Sequence, residues 1–130
     1  MRLTLALALA VAAPLKPPVI HETFTPLPCP KHQVSTLDIE GCLEQQILKT
    51  DRQIDTQSAV VFRLLRPDAR AGFVQGERSW LAYRRANCLA EASKYAGGTL
   101  TGVVDASCTV ARNKTHLADL AELRKTLASP

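Results

Sequence analysis

Aromatic residues make up only 5% of this 130-residue chain, with a single Trp, and there are three histidines, His21, His32 and His116. So sparse a set leaves no row of aromatic rings interleaved with basic residues on which nucleobases could stack. The histidines form neither the HExxH pattern of a zinc protease nor a partner to a GxSxG nucleophile turn, and the GxxxxGK[ST] phosphate loop is absent as well. No CxxC pair exists, and Cys29 with His32 has no second pair at zinc spacing. We therefore expect no metal, no cofactor and no nucleic acid. Long apolar runs are missing too: the longest, near the start, falls short of the roughly 20 residues that span a bilayer. No segment reads as a strand, and the chain is short enough for one domain.

The first residues, MRLTLALALAVAA, put one Arg ahead of a short apolar run that ends in small residues before Pro14, Pro17 and Pro18. That order is the order of a secretory signal peptide, residues 1–13, with cleavage near Ala13. A lipid anchor does not fit, because Cys29 follows Pro28 and lies well beyond the apolar run. The expected product is an exported chain with no membrane attachment after cleavage. Its four cysteines, Cys29, Cys42, Cys88 and Cys108, are an even set that would oxidise to two disulfides outside the cytosol. Sixteen Lys and Arg against twelve Asp and Glu give +4, or +3 once Arg2 is removed with the leader. The basic residues Arg63, Arg66, Arg70, Arg78, Arg84 and Arg85 are broken up by apolar positions and read as solvated helix faces.

Residues 14–34 hold six of the eight prolines and no hydrophobic period, which predicts an extended, partly mobile lead-in tied down at Cys29. The helical domain follows over 35–127. Ser35 or Thr36 caps a first helix whose inward stripe is Leu43, Ile47, Ile54, Val61 and Leu65, supplemented by Leu64; Pro67 stops it near Arg66. A second helix, from about Asp68–Ala71 to Ala96, carries Phe73, Trp80, Arg84, Cys88, Ala92 and Tyr95 on one face, and Gly97 and Gly98 end it. A third runs from Val104 to Leu127 with Val110, Leu117, Leu120 and Leu127 inward. Short connections make consecutive helices antiparallel, giving an all-α bundle of three helices. Cys88 and Cys108 stand equally far from the glycine turn and should pair, leaving Cys29 with Cys42; a Cys42–Cys88 pairing is the alternative. Closing the Cys29–Cys42 loop would be worth about 3 kcal/mol in the chain-entropy model.

The run SWLAYRRANC, then GGT, then ASC resembles the LprI-like family of small secreted helical domains, named after a lysozyme-inhibiting lipoprotein. Trp80, Tyr83, Arg84, Cys88, Gly97, Gly98, Thr99 and Cys108 fill the family's pattern, Cys42 matches the cysteine of its first helix, and Leu120 matches its last leucine. Where that pattern places Thr and Arg after the final cysteine, this chain has Asn113 and His116. If those two residues serve a network between helices, His116 supplies a weaker version, being charged mainly below about pH 6.5.

The resemblance implies a protein that binds lysozyme or another envelope protein, and the unfilled catalytic templates lead us to expect no enzyme. The alternative is an envelope interaction or accessory module without anti-lysozyme activity; oligomeric state is left open. Exposed Trp, Tyr and Arg would make a binding hot spot, but Trp80 and Arg84 share the cysteine face, so both read as core residues, with Arg84 paired to a carboxylate or to backbone carbonyls. Common lysozymes are strongly basic, so a basic chain needs a local acidic patch to attract one. The candidates are Asp38, Glu40 and Glu44 on the first helix and Asp119 with Glu122 on the third.

Overall fold

The computed structural model describes residues 13–130, and they fold into three helices with no strand among the described residues. The leader expected over 1–13 lies outside them except for Ala13. Helix α1 spans Thr36–Leu64, α2 spans Arg70–Ala92 and α3 spans Leu100–Ala128. At 1.5 Å per residue the two 29-residue helices are each ~43 Å long. Ser35 starts α1 with a capping box: its hydroxyl accepts from the Asp38 N–H at 3.1 Å, and the Asp38 carboxylate accepts from the Ser35 N–H at 3.2 Å.

Pro67 ends α1 as expected, but the helix stops at Leu64, because Leu65 and Arg66 both turn to extended geometry ahead of the proline. One turn of 3₁₀ helix, Pro67–Ala69, leads into α2. Another, Ser93–Tyr95, finishes α2 before the expected Ala96. The chain then reverses at Gly97, whose φ of 86° is the left-handed conformation that glycine adopts without strain. The Gly98 N–H and the Thr101 hydroxyl both bond the Tyr95 carbonyl. This compact turn lets α3 begin at Leu100, earlier than the expected Val104.

Both disulfides have the expected pairing, Cys29–Cys42 and Cys88–Cys108. α2 runs antiparallel to its neighbours: Ser58 and Asp51 meet Glu77 and Arg84 in reversed order. The first and last helices are therefore parallel, with Thr50 beside Asn113 and Gln57 beside Arg124. α3 packs on both other helices, most extensively on α1.

The apolar core is split in two. Ile47, Ala106 and Val110 gather with Leu43 and Phe24 at one end, and Ile54, Val61 and Leu120 with Ile20, Phe73, Trp80 and Leu117 toward the other. Two residues assigned to inward stripes are at the surface instead. Leu64 closes α1 on the solvent side, and Tyr95 lies in the 3₁₀ turn, past the point where α2's periodicity holds.

The larger difference concerns the lead-in. It is extended, but it is not held at Cys29 alone. Its Ile20 N–H donates to Asp55 Oδ1 at 3.0 Å and its Leu27 N–H to Glu44 Oε2 at 2.6 Å, so it runs antiparallel along α1. Ile20 and Phe24 each pack into one of the two apolar clusters. At its end the chain passes so close to α1 that a Cβ on Gly41 would fall on the Pro28 carbonyl oxygen and come within 2.9 Å of that of Leu27. Residues 19–27 thus form a strap, a fourth layer of the fold.

Candidate functional site

Between the two apolar clusters the bundle is held by buried polar side chains, and Arg84 is their centre. It projects from the cysteine face of α2, is 2% exposed, and reaches three elements at once. Its Nη1 donates to Asp51 Oδ1 on α1 at 2.8 Å and to Asn113 Oδ1 on α3 at 2.9 Å; its Nη2 donates to Glu22 Oε1 on the strap at 2.5 Å. Asn113, with no exposed surface, turns its amide nitrogen to Thr50 Oγ1 and Asp51 Oδ1, both at 2.8 Å. Thr50 in turn bonds the Gln46 and Ile47 carbonyls of its own helix. A buried guanidinium requires such partners, because an unpaired one would cost several kcal/mol.

Two turns away along α2, Glu77 Oε2 accepts from the Ser58 hydroxyl at 2.9 Å and lies 3.0 Å from His116 Nε2. The His116 ring stacks on Trp80, with centroids 3.8 Å apart and planes 9° from parallel. The Arg84 guanidinium carbon lies 5.6 Å from the centre of the Trp80 ring. His116 thus does join a network between α2 and α3, through Glu77 and Trp80. The imidazole needs only its Nε2–H tautomer to donate to Glu77, so charge is not required, and the stack fixes the ring plane.

Arg84 also lines a cavity of about 360 Å³ at the end of the bundle where the strap, α1 and α3 converge. Four carboxylates face it: Glu22 from the strap, Glu40 and Glu44 from α1, and Asp105 from α3. Phe24, Ile47 and Leu89 supply apolar wall, and Arg85 lies at the α2 side. The negative charges are not fully compensated. Asp105 is raised above the ordinary carboxylate range by burial and then by the charge of Glu22, against the pull of Arg84. Glu40 is raised by burial, then by Glu44 and Asp105. Asp51, behind Arg84, is raised to about 6, chiefly by burial and next by the neighbouring Glu22 carboxyl, against the pull of Arg84 and Asn113. A second depression, about 540 Å³, opens between the far halves of α1 and α3 and carries Arg124 and Lys125.

The residues singled out in the sequence are dispersed by this arrangement. Trp80, Arg84 and Cys88 share the inner face of α2. Leu120 is buried against Ile54 and Val61, and Gly97, Gly98 and Thr99 make the α2–α3 turn. Of Trp80, Tyr83 and Arg84, Tyr83 is the one that is mostly exposed. Of the acidic candidates, Asp38 is used in the capping box and Glu44 holds the strap, while Glu40 faces the cavity. Asp119 and Glu122 remain on the surface of α3.

Glu22, Asp51, Glu77 and Asp105 were not singled out beforehand. Asp51 and Glu77 had a signal: they continue the inward stripes as Ile47, Asp51, Ile54 and as Phe73, Glu77, Trp80, and a carboxylate inside an apolar stripe needs a buried partner. Glu22, 62 residues from Arg84, had none.

No group of His, Cys, Asp and Glu among the described residues has the arrangement to hold a metal ion. No helix among them is long and apolar enough to cross a membrane. Compared with known proteins, residues 29–120 match the family model described as lysozyme inhibitor LprI. No curated protein and no solved structure matches the chain.

Proposed function

This chain belongs to the LprI family, and on that premise we propose that it is an exported protein-binding domain that inhibits lysozyme, with the acidic cavity as the centre of its contact surface. The observation that carries this reading is local charge. A chain of net +3 without its leader repels a basic partner at long range, yet Glu22, Glu40, Glu44 and Asp105 converge on one cavity beside the exposed Leu89. A Lys or Arg side chain entering there would neutralise carboxylates that burial and mutual repulsion now hold above their usual range.

The disulfide-held bundle suits the task, since a rigid surface loses little entropy on binding. In this reading Trp80, Arg84, the glycine turn and both disulfides are scaffold, and catalysis has no part. The leader directs the chain out of the cytosol, where the disulfides form and lysozyme is met.

The test is lysis of a cell-wall suspension by lysozyme, followed by turbidity, with the oxidised chain from Pro14 onward added in increasing molar ratio. Inhibition is expected, and Glu40→Gln with Asp105→Asn should weaken it at least ~10-fold, equivalent to 1.4 kcal/mol, with the circular dichroism spectrum unchanged. Absence of inhibition at large molar excess would refute the reading and favour an accessory envelope module.

A further inference from the structure

The strap lies almost wholly before the family match, which begins at residue 29. Four contacts seat it: Ile20 on Asp55, Glu22 on Arg84, Leu27 on Glu44, and Phe24 in the Ile47 cluster. Only the Glu22 contact sets like charges against each other. Glu22 and Asp51 bind separate nitrogens of one guanidinium, so two ionised carboxylates would leave a net negative charge in a buried place. Asp105 adds to it, since its carboxyl responds to the charge of Glu22. Meanwhile Asp51 Oδ2 is buried with no hydrogen-bond partner, although its other oxygen binds both Arg84 and Asn113. Buried polar atoms seldom go unpaired.

We propose that Asp51 carries a proton on Oδ2 and donates it to Glu22, and that this single proton latches residues 19–27 onto the bundle and so fixes the strap side of the acidic cavity. The proton removes the excess charge and supplies the orphaned oxygen with a partner. Burial and Glu22 favour that proton, while Arg84 and the Asn113 amide oppose it, and the balance stays on the side of the proton. The strap presents Glu22, α2 presents Arg84, and α3 presents Asp105 and the Asn113 amide. On α1 itself, Asp55 and Glu44 bind strap N–H groups instead of Asp51. Glu22 and Phe24 both line the cavity, so a loosened strap changes the cavity itself.

The direction in pH follows. Asp51 holds its proton up to about pH 6, above the 3.8 of an unperturbed Asp. The docked state therefore binds more protons than one in which Asp51 is unperturbed between those values, so the strap loosens as pH rises from about 4 to about 6 and tightens as pH falls through that window. Asp55 is raised by burial as well, with the Ile20 N–H and His21 opposing, and its titration would act on the Ile20 end alone.

Hydrogen exchange on the whole oxidised chain tests the latch, with protection at the Ile20 and Leu27 amides compared at pH 5 and pH 8 after correction for intrinsic rates. Protection at both should fall by up to ~10-fold at pH 8. Glu22→Gln should keep the strap seated at both pH values, because a neutral amide can donate to ionised Asp51 and still accept from Arg84. Equal protection of the wild type at the two pH values would overturn the proposal. So would an unchanged pH dependence in Glu22→Gln, or one confined to Ile20, which would assign the effect to Asp55. Glu22 lies on the strap, outside the helical core, so this variant does not depend on rebuilding the bundle.

Discussion

Replacing Asn113 by alanine removes one side chain and disturbs all three helices. The amide makes three hydrogen bonds in a site with no solvent access: two as donor, to Thr50 and Asp51, and one as acceptor, from Arg84. Bonds to the charged Asp51 and Arg84 are each worth about 1.5–3 kcal/mol net, and the neutral bond to Thr50 about 1 kcal/mol. Those sums do not add fully, because Arg84 keeps Asp51 and Glu22, and Thr50 keeps its backbone acceptors. We expect Asn113→Ala to cost about 4 kcal/mol, a large share of the roughly 5–15 kcal/mol of a typical domain. A threonine hydroxyl can still donate to Asp51 and accept from Arg84, so Asn113→Thr should cost about half as much. Aspartate would be worse than alanine at neutral pH, since it sets a further carboxylate beside Asp51 and loses both donors. Guanidinium denaturation at pH 7 with the disulfides intact, followed by far-UV circular dichroism, measures all three. A cost below about 1 kcal/mol for Asn113→Ala would show that Asp51 and Arg84 do not rely on α3, and the three-helix network would have to be abandoned as a source of stability.

Three further outcomes follow from the fold. Replacing Cys88 and Cys108 together by alanine opens a link between residues 20 apart and should cost about 3 kcal/mol in the same denaturation experiment; an unchanged midpoint would refute this. Gly97→Ala places a Cβ on a residue at φ 86°, where space is open but the backbone is strained, so a loss of about 1–2 kcal/mol is expected without a change of fold. Gly41→Ala drives a methyl into the Pro28 and Leu27 carbonyls and should raise hydrogen exchange at Leu27 while leaving the α2–α3 contact protected; equal protection of Leu27 would place the strap elsewhere.

The helices, the turn and the staples were legible because each rests on a local, repeating signal. Ile47, Ile54 and Val61 keep one stripe, Gly97 is placed where a left-handed residue is needed, and Cys88 and Cys108 are equidistant from it. The reading also foresaw that a core arginine must find a carboxylate, but following only the apolar members of each stripe passed over Asp51 and Glu77. The strap left no trace in periodicity. Its contacts are made by isolated residues, Ile20, Glu22, Phe24 and Leu27, in a proline-rich segment whose backbone bonds to side chains far along the chain instead of to itself. Likewise the cavity is assembled from four separate segments, so no spacing within any one of them announces it.

Both disulfides lie at the same end of the bundle, Cys42 in the second turn of α1 and Cys108 in the early part of α3. They span 13 and 20 residues, whereas the contacts between α1 and α3 join positions about 60 apart, such as Thr50 and Asn113 at 63. No covalent link therefore crosses the longest seam of the molecule. Under pulling force or heat the register of α1 against α3 is held by packing and by the polar core around Arg84. Reduction would free the lead-in from α1 and α2 from α3, and it would leave that seam as it was.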